Sequence, residues 1–458
     1  MTSTHITIEG MTRRGTLSGI FAAYSYAALL VAGPWIFTVA GLLGLSAAGC
    51  GEICADRTIF RSIVIYNSMY ALIVTSPLAF ISGRYVSEQM RCQRDEHVVY
   101  GLVLSLGLYA ILSVAIAVPF YVFAAALEPA EKIASIANVV MIGSSWLLIP
   151  FLASMRSSNV VLVAFGLGTL ALFGISRVLL DHSALSLLLA FNASIAITNV
   201  VLLGAVVRRF GAQVTPDPGL TRSLGTKWEL AAAGLAYGAG LWVDKIVMWY
   251  CAPSGGLLVG GVLKTMPNYD TAMFWSQLSS IPVIAVFFVH VETRFRFLVG
   301  TLHRRIELRA SRSELGELVA TIGGYIVPSI FRLFLALVVI AAMMIMLSFA
   351  FMPELGLLPD YMSILRVSLC AMAFYTSAMF CFSFLLHLDL RRQALWVVTT
   401  YVVLNAVLTA AFLPLGADFY GYGNMIAATV TLLAGFRLVL RELPWLHYHA
   451  FVTNNPSL

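Results

Sequence analysis

The residues of this sequence that could do chemistry are the few charged ones set inside long apolar runs. Arg332 lies about midway along the stretch from Leu318 to Phe351. A guanidinium at that depth of a bilayer costs about 2.5–3.5 kcal/mol on insertion scales, so it is expected to face protein or a water-filled path. There it serves either as a contact for a passing solute or gate, or as half of a buried structural pair. Asp244 and Lys245 adjoin in the outer third of another run. Neighbours on a helix project about 100° apart and pair poorly, so each is expected to seek a partner on another helix. They would then line a cavity or latch two helices together. Asp270 begins a further run, where a carboxylate can cap the helix and favour its dipole. Glu292 and Arg294 form a charged collar at the other end of that run, and Arg84 closes an earlier one.

No motif of covalent or metal chemistry accompanies these residues. The sequence has no G-x-x-x-x-G-K-[ST] for phosphates and no H-E-x-x-H for zinc. Its loops are too short to carry the catalytic carboxylates of a membrane glycosyltransferase. No catalytic residue, metal ligand or cofactor is therefore expected, and an enzyme is disfavoured.

The elements that position the charges follow from composition. Of 458 residues, 60% are hydrophobic and 11% charged, and the mean hydropathy is +0.89. A soluble domain carries about 25% charged residues, so a water-facing globule, a disulfide scaffold and a disordered chain are excluded. Apolar runs long enough to span a bilayer fall at roughly 20–46, 60–82, 98–126, 134–155, 159–180, 184–207, 229–250, 271–289, 321–350, 361–386, 393–415 and 419–440. The least secure division is 134–207, where only Arg156-Ser157-Ser158 and Asp181-His182-Ser183 separate three spans. With the N-terminus in the cytoplasm, 19 of the 28 Lys and Arg fall in inner segments and 4 in outer ones. That bias supports twelve spans with both termini cytoplasmic. The +6 charge thus reflects orientation rather than nucleic-acid binding. Arg13-Arg14 and Ala47-Ala48-Gly49-Cys50 resemble secretion signals, but the apolar run between them is too long for one and reads as an uncleaved first span. Cys50 and Cys54 are placed either to pair on the outer side or to stand as two thiols.

Residues 208–228 hold two prolines, several glycines and four basic side chains, the composition of a cytoplasmic linker. They divide the chain into an N-terminal six-helix bundle, 1–207, and a C-terminal one, 229–458. Gly33-Pro34-Trp35 in the first span lines up with Gly240-Leu241-Trp242 in the seventh, a weak echo of the parallel repeats common in transporters. Seven prolines lie inside spans, at 34, 77, 119, 150, 282, 328 and 414, where kinks suit a protein that changes shape.

One run is distinctive. Met266-Pro267-Asn268-Tyr269-Asp270-Thr271-Ala272-Met273-Phe274-Trp275 is followed by Phe287-Phe288-Val289-His290-Val291-Glu292-Thr293-Arg294-Phe295. It closely resembles the Pel exopolysaccharide transporters, PelG-like members of the multidrug and polysaccharide flippase group. Ala23-Tyr24-Ser25-Tyr26-Ala27 with Gly33-Pro34-Trp35, and Gly83-Arg84-Tyr85-Val86-Ser87-Glu88, are similar to that family too. Gly83 and Glu88 stand where Thr and Asp are expected.

The resemblance implies an all-α, multi-pass protein of the bacterial inner membrane with two pseudo-symmetric six-helix bundles. It implies outward transport of a nascent aminosugar-rich polysaccharide, in a synthase complex with a cytosolic glycosyltransferase and membrane scaffold subunits. Arg332, Asp244, Lys245, Trp242 and Trp35 are then candidates for the transport path, the tryptophans by stacking on sugar rings. Asp270, Glu292, Arg294 and Arg84 are candidates for a gate or collar. Residues 296–318 read as an amphipathic cytoplasmic helix on the membrane or on such a partner. A lipid-linked oligosaccharide flippase, a cation-coupled drug antiporter and a non-transporting scaffold are the alternatives.

Overall fold

The computed structural model describes residues 54–153, 159–178, 183–253, 255–351 and 359–449. Fourteen helices carry the fold of these residues. They are α1 (Cys54–Arg91), α2 (Val98–Pro119), α3 (Pro129–Ala153), α4 (Asn159–Val178), α5 (Ala184–Phe210), α6 (Gly219–Thr226), α7 (Trp228–Gly240), α8 (Val243–Cys251), α9 (Pro267–His290), α10 (Arg296–Glu307), α11 (Arg312–Phe351), α12 (Pro359–His387), α13 (Arg391–Phe412) and α14 (Tyr422–Glu442). Between α8 and α9 a small antiparallel hairpin pairs β1 (Leu257–Val259) with β2 (Leu263–Thr265). Among the described residues ten helical segments are long and apolar enough to cross a membrane, and α7 with α8 makes an eleventh if counted as one broken span. The expected first span, 20–46, with Trp35 and Cys50, lies outside the described residues.

Local chemistry explains several boundaries. Ser183 caps α5 by accepting the Ser186 N–H, and Pro267 occupies the first turn of α9, where its missing N–H costs nothing. Pro77 removes a backbone donor inside α1. One turn away the Ser76 hydroxyl donates to Leu72 O at 2.6 Å and Thr75 to Ala71 O at 2.7 Å, so these side chains stay satisfied inside the helix. Pro414 lies at the end of its span, in a 3₁₀ turn that follows α13. The 134–207 stretch does divide into three helices, α3, α4 and α5.

The chain clusters into two units, and the same pattern of neighbours builds each. In the first unit α1 packs on α3, α3 on α5, α5 on α4, and α2 on both α1 and α3. In the second, α9 packs on α12, α12 on α14, α14 on α13, and α11 on both α9 and α12. The boundary falls inside the seventh span, between Trp242 and Val243, rather than at the linker. Helix α7 belongs with the first unit, on α1. Gly234 and Gly238 let the two backbones meet: a Cβ on Gly234 would lie 2.7 Å from Ser76 O, and one on Gly238 would lie 3.1 Å from Ile73 Cα. The hairpin also joins the first unit. Tyr66 donates its hydroxyl to Lys264 O and accepts the Lys264 N–H, and Ala126 N–H donates to Gly260 O.

The linker is fixed to the first unit. Asp217 accepts from Tyr85 OH at 2.9 Å, from Gln89 Nε2 at 2.8 Å and from its neighbour Gly219 N–H at 3.0 Å. Lys227 meets Glu88 at 2.7 Å. The expected single helix over 296–318 is two pieces. Helix α10 stops after Glu307, Arg309 adopts a left-handed φ of 53°, and residues from Arg312 onward already belong to α11. The reason is local: the left-handed residue lets Ala310 N–H reach back to Arg305 O, closing α10.

Candidate functional site

The second unit buries a charged cluster at the junction of α8 and α9. Asp244 and Lys245 on α8 are 1% and 6% exposed. The Tyr269 hydroxyl, on the first turn of α9, donates to Asp244 Oδ2 at 2.8 Å, and Lys245 Nζ lies 3.8 Å from Asp244 Oδ1. The expectation that the two neighbours would not pair is thus corrected: burial of both side chains turns them toward each other while Asp244 also reaches the next helix. Asp270 follows within one turn. Its carboxylate accepts the Trp249 indole N–H at both oxygens, 2.9 and 3.0 Å, and the Met266 N–H at 3.0 Å. Met266 occupies the N-cap position without a side-chain cap bond, and Asp270 reaches back from the first turn to accept its N–H. Met248, Tyr269, Ala272 and Met273 close an apolar wall over this cluster with Tyr361, Leu365, Leu369 and Tyr420.

Beside it runs a polar chain that charge-based reasoning missed. Tyr401 OH donates to Asn424 Oδ1 at 2.8 Å and accepts from Asn405 Nδ2 at 3.2 Å, and Thr409 donates to Asn405 Oδ1 at 3.1 Å. The first unit holds a counterpart. Tyr121 donates to Asn67 Oδ1, Asn67 Nδ2 to Asn138 Oδ1, Asn138 Nδ2 to Asn192 Oδ1, and Asn192 Nδ2 to Ala134 O. The asparagine pair 138–192 and the pair Ser145–Asn199 share one offset of 54 residues, which fixes α3 and α5 as parallel neighbours. The signal available in the sequence was the uncharged amides inside spans at positions 67, 138, 192, 199, 405 and 424.

The other candidates are dispersed. Arg332 is exposed on α11, in a stripe with Phe331, Leu335, Val339 and Met343 that is otherwise apolar, and its Nε donates to Pro328 O at 3.2 Å. Among the described residues no carboxylate pairs with it. Trp242 is half-buried at the break between α7 and α8. Arg294 stands exposed in the turn after α9, its guanidinium 5.8 Å from the Tyr325 ring, while Tyr325 OH donates to His290 O at 3.2 Å; Glu292 shares that turn. Arg84 is exposed, and its neighbours Tyr85 and Glu88 make the linker contacts. Asp244, Lys245 and Asp270 are therefore brought together, while Arg332, Arg294 and Arg84 stand apart from them in sequence and element. Among the described residues no group of three or more His, Cys, Asp or Glu side chains is placed to hold a metal ion.

The fold has solved counterparts. An outward-facing multidrug resistance MATE transporter of the MOP superfamily aligns at 14% identity, over 92% of this chain and 96% of its own, with a TM-score of 0.63. A MOP superfamily transporter from Pyrococcus furiosus, titled for the reverse polarity of its binding pocket, aligns at 13% identity over 96% and 98%, with a TM-score of 0.61. An inward-facing MATE structure aligns at 13% identity over 92% and 95%, with a TM-score of 0.57. No curated protein matches by sequence. The PelG family, described as an exopolysaccharide exporter (EPS-E), matches residues 6–451. With an all-α membrane fold shared with transporters and a family match across nearly its whole length, the chain belongs to the PelG exopolysaccharide exporter family.

Proposed function

We propose that this protein carries a nascent, aminosugar-rich Pel-like polysaccharide from the cytoplasm to the periplasm across the bacterial inner membrane. Its termini lie in the cytoplasm, and it works beside a cytosolic glycosyltransferase and membrane scaffold subunits of a synthase complex. The observation that carries this reading is the PelG match over residues 6–451. The most specific run of that resemblance, Asn268-Tyr269-Asp270, is also where α9 is tied to α8. In this reading Asp244, Lys245, Tyr269 and Asp270 lock the α8–α9 corner, and Arg332, exposed on α11, contacts the solute. Its five N–H donors suit the hydroxyl and acetamido oxygens of a neutral or mixed sugar polymer. Trp242 at the helix break offers a ring face, and Arg294, Glu292 and Arg84 form charged ends of their spans.

A clean deletion in the native host tests the function. Cell-associated and secreted aminosugar polymer should be lost with unchanged tolerance to cationic drugs, and complementation should restore it. An Arg332→Ala protein that accumulates normally should restore little polymer. Unchanged polymer with raised drug sensitivity in the deletion overturns the reading; full export by Arg332→Ala removes that residue from the path.

A further inference from the structure

The basic ends of α13 and α14 enclose an open groove of about 350 Å³, lined by Trp396, Ala434, Arg437, Leu438 and Arg441. Its origin is local. Gly435 turns inward, where a Cβ would lie 3.2 Å from Cys381 Cβ and 3.5 Å from Val397, so the helices close tightly on that side. On the other side the small Ala434 leaves space beside Trp396, which is 67% exposed. Arg437 and Arg441 sit one turn apart on the same face of α14. Their electrostatic situations differ. Arg441 directs Nε and Nη2 to Glu442 Oε1 at 2.9 and 2.7 Å, and His449 Nε2 lies 2.9 Å from Oε2 of that carboxylate. Arg437 has no hydrogen-bond or ion-pair partner among the described residues.

One neutralised arginine and one uncommitted arginine, next to an exposed indole, form a particular receptor. We propose that this groove binds a net-anionic phospholipid, its phosphodiester on Arg437 and its acyl chain along Trp396 and Leu438. A guanidinium fork matches a phosphodiester in geometry and charge. An exposed tryptophan one turn inside the first arginines of α13 (Arg391 and Arg392) sits at headgroup depth, where indoles are favoured. Basic pockets between spanning helices recognise anionic headgroups by the same means. The orientation proposed above places the site in the inner leaflet; binding itself does not depend on that orientation, nor on the exported polymer.

The test uses the full-length protein in neutral detergent, titrated with phosphatidylglycerol, phosphatidylcholine or inorganic phosphate. Thermal midpoint and native mass spectrometry are the readouts. Phosphatidylglycerol should stay bound and raise the midpoint, and the other two should not. Arg437→Gln should weaken the response about fivefold, the worth of one arginine beside an anionic headgroup. Ala434→Phe, which fills the groove and keeps both arginines, should weaken it as much, whereas Arg304→Gln on α10 should leave it unchanged. Equal effects of the two lipids, stabilisation by phosphate alone, or wild-type response in both groove variants would each overturn the proposal. So would co-purification of a protein released by both variants with no lipid effect, because a partner would then be the occupant. If Ala434→Phe fails to accumulate, Arg437→Gln decides alone.

Discussion

Gly234→Ala probes how α7 seats on α1 within the first unit. The new Cβ would lie 2.7 Å from Ser76 O and 2.9 Å from both Ser76 C and Pro77 Cα. All three are backbone atoms of α1, held beside Pro77, so no side chain can rotate away. Ordinary contact begins near 3.4 Å, and α7 must therefore recede by about 0.7 Å along its seam. Overpacking of this kind costs about 1–3 kcal/mol, against which alanine's better helix propensity returns up to about 1 kcal/mol. For a chain of this size the net loss corresponds to a midpoint lower by a few degrees, at about 2 °C per kcal/mol. Gly238→Ala meets Ser76 Oγ at 2.9 Å, which can rotate, and Ile73 Cα and Leu72 O at 3.1 Å, so its loss should be smaller. Gly204→Ala has nothing within 4 Å of its Cβ and should be neutral or slightly stabilising. The measurement is thermal unfolding of each purified variant by fluorescence-detected size exclusion. The order 234, 238, 204 in decreasing damage is expected; equal midpoints for Gly234→Ala and Gly204→Ala would show that α7 does not seat on α1 as described.

Two further perturbations follow from other contacts. Tyr269→Phe removes one hydrogen bond to a buried carboxylate and should cost about 1.5–3 kcal/mol. Asp244→Leu breaks the buried pair with Lys245 and should cost about 3–5 kcal/mol; adding Lys245→Met should recover much of that stability, and a double variant no better than Asp244→Leu sinks the pairing. At the linker, Asp217→Asn leaves one oxygen where two accept from Tyr85, Gln89 and Gly219. A loss of about 1.4 kcal/mol in local closure speeds opening tenfold, so limited trypsin digestion at Arg222 or Lys227 should accelerate by about that factor. Unchanged cleavage would mean the linker is not held.

Much of the fold is legible in the sequence because hydropathy reports membrane thickness. It does not report where a helix ends. The run 60–82 is the core of α1, which continues helical through Arg84, Glu88 and Arg91 because charged residues beyond the bilayer still favour helix. The same gap explains α11, whose first turns were read as part of an amphipathic segment. The hairpin at 257–265 escapes a hydropathy pattern. Its cues are Gly260-Gly261, both at positive φ, between short apolar runs, and those are too brief to register as strands. The site divides in the same way. Charges in apolar runs single out Asp244, Lys245 and Asp270, but a one-dimensional pattern gives no sign that Tyr269 donates to Asp244 and Trp249 to Asp270. The asparagine chains escape a search for charges because a lone amide hardly lowers the mean hydropathy of a span.

Those chains also bear on how the protein could work. An amide whose donor and acceptor are both used fixes one register between helices, since sliding would leave buried groups unsatisfied. Asn138 does this between α1, α3 and α5, and Asn424 with Tyr401 does it between α13 and α14. Each unit is thus stiffened internally. Among the described residues the chain passes between the units at Trp242–Val243, Gly255–Gly256 and Thr265–Met266. The last crossing has no spare residue, because Lys264 is held by Tyr66 and Met266 N–H by Asp270. The linker is held as well, by Asp217 and Lys227. Its prolines and glycines make the linker read as a flexible joint, yet side-chain contacts tie it down, so composition alone misplaces the joint.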